Sequence, residues 1–99
     1  MVLLEFAMSP SGEGESLSRH VARVLDIIDR SGVSYQLTAM GTLLEGDWDE
    51  VMDVVKRATE AVGRHGHRVS LVLKADIRPG HTGELTGKVA RVEAALAEG

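Results

Sequence analysis

Cysteine is absent from the 99 residues, so the fold has no disulfide frame and the chemistry has no thiol nucleophile or thiolate metal ligand. Asparagine is absent as well, and proline occurs only twice. The aromatic residues are Phe6, Tyr35 and Trp48, with no basic patch beside them, which argues against the stacking platforms that read single-stranded RNA. Lys and Arg number 11 against 15 Asp and Glu, for a formal net charge of −4. That balance disfavours a polyanionic partner such as nucleic acid and mildly favours neutral or cationic ligands. No apolar run approaches the ~20 residues that span a bilayer. The opening segment, Met1 to Met8, carries Glu5 and lacks a basic start. It does not read as a signal peptide, and a cytoplasmic location is the default expectation.

What is present is ordinary for a globular domain: 43% hydrophobic and 26% charged residues. The length suits one domain, residues 1–99. A chain of this size buries roughly two-thirds of the surface its unfolded form exposes. Its core is small, and a bare apolar face should seek a partner subunit.

Val2 to Met8 reads as a buried strand, with Leu4 and Phe6 on one face and Leu3, Glu5 and Ala7 on the other. Ser16 is a plausible N-cap for a helix reaching about Ser31, with Leu17, Val21, Val24, Leu25 and Ile28 as its stripe and Gly32 at its end. Ser34 to Met40 reads as a second strand, broken by Gly41. Thr42 to Glu45 is a short third strand, ended by Gly46. Asp47 with Glu50 suits a capping box, and Val51, Val54, Val55, Ala58 and Val62 form the buried face of the helix that follows, ended by Gly63 and Gly66. Arg68 to Ile77 alternates clearly as a strand. Thr82 is a candidate cap for a last helix with the stripe Leu85, Val89, Val92 and Leu96. The order β-α-β-β-α-β-α predicts an α+β, ferredoxin-like βαββαβ domain: an antiparallel four-stranded sheet with an additional C-terminal helix. The first and third strands should be central. The sheet face away from the two main helices should carry Glu5 and Asp76 with Leu3, Ala7 and Val72, and should pack on a second subunit or cover a ligand.

The chemistry concentrates in Met40 to Gly46. Gly41 permits a sharp reversal or a close approach, Thr42 supplies a hydroxyl, and Glu45 places a carboxylate near a strand end. The plain structural reading of this segment is a hairpin with glycines at its bends. Lys74, Asp76 and Arg78 share one strand face, where mutual charge pairing is the plain reading. Among the histidines (His20, His65, His67 and His81), the His65-Gly66-His67 pair has no third ligand at metal-binding spacing, so no dedicated metal centre is expected. No nucleophile elbow, P-loop or dinucleotide fingerprint occurs. An acylphosphatase-like reading would need an asparagine beside a phosphate-binding arginine, and asparagine is missing.

One ordered set of pieces goes further. Pro10 and Ser16-Leu17-Ser18 are followed by Val21-Ala22, Gly32-Val33-x-Tyr35 and Met40-Gly41-Thr42-x-x-Glu45-Gly46. Glu50-Val51-Met52, Arg68-Val69, Lys74-x-Asp76-x-Arg78 and Lys88-Val89-x-x-Val92-Glu93 complete the set. In this order and spacing the chain resembles the small thiamine-binding, ferredoxin-like proteins. His20 stands where that family commonly has tyrosine, Ala39 where it has proline and Ser70 where it has threonine. The resemblance implies subunits paired through their sheets as a homodimer or homotetramer. It also implies non-catalytic binding of thiamine or its hydroxymethylpyrimidine half, with no cofactor besides that ligand. The residue types suit such a ligand. A carboxylate can oppose the thiazolium or accept from the exocyclic amine, a hydroxyl can meet a ring nitrogen, and methionines can sandwich flat rings. The expected site is Met40, Gly41, Thr42 and Glu45 from the hairpin, Glu5 and Met8 from the first strand, Ser18 from the first helix and Asp76 from the last strand, with Glu5 partly buried. Two other readings share the element order: an ACT-like effector-binding regulatory module, and a structural oligomer without ligand. An enzyme is the least favoured class.

Overall fold

Period-two alternation makes the strands, and their charged residues Glu5, Glu45, Lys74 and Asp76 fall on one side. In the computed structural model of the chain, which describes residues 1–10, 17–64, 68–79 and 84–98, the elements run β1 (Val2–Pro10), α1 (Leu17–Ser31), β2 (Ser34–Leu37), β3 (Thr42–Gly46), α2 (Trp48–Val62), β4 (Val69–Ile77) and α3 (Glu84–Glu98). The strands form one antiparallel sheet in the order β2-β3-β1-β4. The chain is thus an α+β, ferredoxin-like domain with an added C-terminal helix, and β1 and β3 are central, as the element order predicts.

The pleat sorts β1 cleanly. Val2, Leu4 and Phe6 are buried under the helices, while Glu5 and Ala7 are exposed on the opposite, open face. α1 adds Val24 and Ile28 to this core, and α2 adds the full expected set of Val51, Val54, Val55, Ala58 and Val62. α1 ends as its glycine predicts. Gly32 takes φ 79°, a conformation that a side chain would strain. The Ser31 hydroxyl donates to the Ile28 carbonyl and accepts from the Val33 N–H at 3.1 Å. These contacts turn the chain so that Val33 enters the core.

Four local expectations are corrected. β2 stops at Leu37 rather than Met40, because Thr38 begins a turn. β1 continues to Pro10, held by β4 alone beyond Phe6. The capping box does not form: Asp47 has extended backbone and its carbonyl accepts from Val51 N–H at 3.0 Å, but its side chain makes no cap bond. Its carboxyl instead hydrogen-bonds the Glu50 carboxyl, and this contact, with the charge of Asp47, pushes the Glu50 pKa above its usual 4.5. Finally, the stripe of α3 is not buried in this chain: Val89, Val92 and Leu96 are exposed, Leu96 by 75%. α3 lies on the open face against β3 and β2 and is tied to β4 by a Lys88–Asp76 ion pair. The molecule is accordingly long, 50 × 28 × 20 Å, with a radius of gyration of 15.1 Å, against about 13 Å for a compact chain of this length. Ser16, Gly66, Thr82, His65, His67 and His81 lie outside the described residues, as does the side chain of Leu85.

Leu44 is fully buried between the central strand pair and α2. Leu44→Ala should lower unfolding free energy by about 2–5 kcal/mol, read as a shift in urea midpoint with an unchanged slope.

Candidate functional site

The β2–β3 connection is built by one threonine and one glycine. The Thr38 hydroxyl accepts from the N–H of Met40 (3.3 Å) and of Gly41 (3.1 Å) and donates to the Gly41 carbonyl (3.0 Å), which also accepts from the Thr38 N–H at 2.8 Å. This side-chain-closed turn is the alternative to strand that threonine offers its backbone. The tip is left in solvent, with Met40 84% exposed. Gly41 then comes against β1. A Cβ at this position would lie 2.8 Å from the Phe6 carbonyl oxygen, so the close approach requires glycine. Its φ is not positive, and backbone handedness is not the reason.

The consequence is a notch. The β1–β3 ladder begins at Phe6 opposite Thr42, whereas β1 runs on through Ala7, Met8 and Ser9 with β4 as its strand neighbour. A cavity of about 480 Å³ occupies this end of the sheet, between the hairpin turn, the far end of β1 and the start of α1. Phe6, Met8, Leu37 and Met40 give it apolar walls, and Thr38, Thr42, Ser9, Ser70 and His20 bring hydroxyls and an imidazole. His20 is buried, its Nδ1 shielded from solvent. The position was legible as core-facing, since His20, Val24 and Ile28 recur every four residues along α1. Of the side chains described as lining the cavity, His20 is the one with an ionisable group.

Of the expected site residues, Met8, Met40, Gly41 and Thr42 meet at this cavity. The three acids do not join them. Thr42 pairs with Phe6 on the helix side, whereas Glu45, Leu3 and Asp76 form one row on the open face. Their spacing already implies this, because strand residues three apart point oppositely. Glu45 is buried at 8% exposure, on the face that α3 covers, and is engaged within the protein. Glu5 is exposed rather than partly buried, because α3 does not shield it. It faces Lys74 across the β1–β4 ladder. Ser18 lies in α1, and its side chain is outside the described residues. Asp76 is bound by Lys88, and that hydrogen bond, helped by the charges of Lys88, Arg78 and Lys74, holds its carboxyl below the usual 3.8 against a smaller opposing effect of burial. Asp76 is therefore tied chiefly to α3, with the charges of Arg78 and Lys74 along its own segment adding to that pairing. Among the described residues no cluster of His, Asp or Glu is arranged to hold a metal ion, and no helix is long and apolar enough to cross a membrane.

Comparison with known proteins decides the family. The thiamine-binding protein family matches residues 4–93. The chain belongs to that family. A UPF0045 protein of Mycobacterium bovis is 47% identical over 93 residues, covering 93% of this chain and 91% of the relative. A Methanocaldococcus jannaschii protein of solved structure superposes with a TM-score of 0.83 at 30% identity, over 93% of this chain and 95% of that one. A Thermotoga maritima protein provisionally assigned to thiamine biosynthesis or salvage superposes with a TM-score of 0.77 at 25% identity, over 92% and 97% of the two chains. The family name points to a small-molecule ligand.

Two outcomes follow from the geometry. Gly41→Ala should push the hairpin off β1 and lower the melting temperature, whereas Ala39→Gly at the exposed tip should change it far less; scanning calorimetry separates them. Asp76, with its folded pKa depressed, contributes stability that is present above the unfolded-state value and lost as pH falls through the folded one. The difference in urea midpoint between the protein and Asp76→Asn should therefore be constant from neutrality to about pH 5 and shrink below about pH 4.

Proposed function

We propose that this protein binds thiamine or its hydroxymethylpyrimidine half without chemical conversion, and that the pyrimidine ring lies in the hairpin-end cavity. The observation that carries the reading is the make-up of the cavity walls in a chain of this family: apolar surfaces for a flat ring, with hydroxyls and an imidazole at its polar edge. Thr42 and Thr38 can meet ring nitrogens, and the Met8 and Met40 thioethers can lie against the ring faces. No carboxylate is among the described lining residues, so these residues offer no counter-charge to a thiazolium drawn into the cavity. The cation therefore belongs outside, on the open face. Ala7 and Val72 rim the cavity there, and Glu5 is the next acid along β1. The described lining residues include no carboxylate or amine, and the proposal is one of binding rather than turnover.

Titration calorimetry with thiamine, its phosphates and free hydroxymethylpyrimidine tests this. Heats are expected for thiamine and for the pyrimidine, with no gain from added phosphate, because no Lys or Arg is among the described lining residues. Absence of heat from every one of these compounds, with protein shown to be folded, would sink the proposal. Thr42→Val keeps the shape of the side chain and removes the hydroxyl. It should weaken binding by about 2- to 10-fold, and ligand at a hundredfold its dissociation constant should add ~2.7 kcal/mol of stability to the wild-type chain.

A further inference from the structure

Sulfur in this chain is confined to four methionines, since cysteine is absent. An oxidant that reaches the protein therefore meets thioethers and no thiol. Met8 and Met52 are half-buried and pack against the hydrophobic core. Met1 is 40% exposed, at the end of β1 away from the hairpin-end cavity. Met40 is 84% exposed, the highest value among the large hydrophobic side chains described, and yet it lines that cavity. Its side chain stands outside the core cluster. The turn that carries it is closed by the Thr38 hydroxyl on backbone groups of Met40 and Gly41. Access to solvent and a place in the cavity wall thus coincide in one thioether that the core does not use.

We infer that Met40 is an oxidative modification site, and that oxygen transfer to its thioether loosens the hold of the cavity on its ligand. The oxidant is a hydroperoxide, of which hydrogen peroxide is the simplest. The sulfur lone pair attacks one peroxide oxygen and the O–O bond breaks. The proton on the transferred oxygen passes to the departing hydroxide, which leaves as water. Sulfur loses two electrons, the peroxide gains them, and the product is methionine sulfoxide. That product is polar where the thioether was apolar. At Met40 it removes a sulfur–ring contact from the cavity wall and puts in its place an oxygen that a bound ring would strip of water. The same change at Met8 or Met52 would disrupt the core, whereas at Met40 solvent receives the new oxygen and the fold is kept. The effect on binding rests on the ligand placement proposed above; the site of oxidation does not.

Limited treatment with dilute hydrogen peroxide, followed by peptide mass mapping, reads the site directly. Met40 should gain one oxygen ahead of Met8 and Met52, with the circular dichroism spectrum unchanged. Calorimetric titration with hydroxymethylpyrimidine should then give an affinity about 2- to 10-fold weaker than before treatment, the range of one sulfur–aromatic contact. The Met40→Leu protein, whatever its own starting affinity, should give the same dissociation constant before and after peroxide. Met40→Gln, which sets a polar amide near the place of the sulfoxide oxygen, should weaken binding with no peroxide added. Oxidation of Met8 or Met52 ahead of Met40 overturns the inference. So does a Met40 sulfoxide that leaves the dissociation constant unchanged, or a peroxide-induced loss that Met40→Leu does not prevent. A lack of heat from untreated, folded protein overturns the ligand placement and the affinity claim together, while the order of oxidation is decided by mass mapping alone.

Discussion

The arrangement of this domain depends on the contact between Gly41 and the backbone of Phe6. The hairpin turn comes so close to β1 that a Cβ at position 41 would sit 2.8 Å from the Phe6 carbonyl oxygen. That contact marks where the central strand pair begins, with Thr42 opposite Phe6. It leaves the far end of β1 without a β3 neighbour, and the cavity occupies the space. The Thr38 hydroxyl, which binds the N–H groups of Met40 and Gly41 and the Gly41 carbonyl, fixes the turn that delivers the glycine. One hydroxyl and one missing side chain thus make a hairpin into one wall of the cavity.

The second organising feature is the separation of charge from cavity. The strand pleat places Thr42, Phe6 and Met8 toward the helices and Glu5, Glu45 and Asp76 toward the open face. α3 then covers part of that open face, burying Glu45 and engaging Asp76 through Lys88. Two of the three acids therefore serve packing and helix attachment. Among the described residues, the cavity is lined by apolar side chains with hydroxyls and an imidazole at its edge.

Much of this was legible in the sequence. Element order, the central position of β1 and β3, the complete buried face of α2 and the positive φ of Gly32 follow from periodicity and glycine placement. The hairpin was legible as a break at Gly41, but its cause was not: Thr38 fits a strand by propensity and leaves it because its hydroxyl closes the turn on itself. Thr42 and Glu45 fall on opposite faces of β3, a parity that the residue numbers contain. His20 continues the Val24 and Ile28 stripe, which the spacing shows, but that this stripe meets the cavity follows only from where α1 lies on the sheet. The exposed stripe of α3 could not be read from local pattern, because periodicity shows that a face is apolar and not what covers it. It leaves apolar surface that a single chain does not bury.

The four methionines (Met1, Met8, Met40 and Met52) are placed to test the central claim, that the hairpin-end cavity is where the ligand sits. Met8 and Met40 line that cavity, and Met52 lines the separate groove between α2 and β4. Methyl-labelled methionine spectra recorded while hydroxymethylpyrimidine is titrated to saturation should show the Met8 and Met40 signals moving together, with Met1 and Met52 unmoved. Saturation with Met8 and Met40 unmoved, or with Met52 as the signal that responds, would contradict the account.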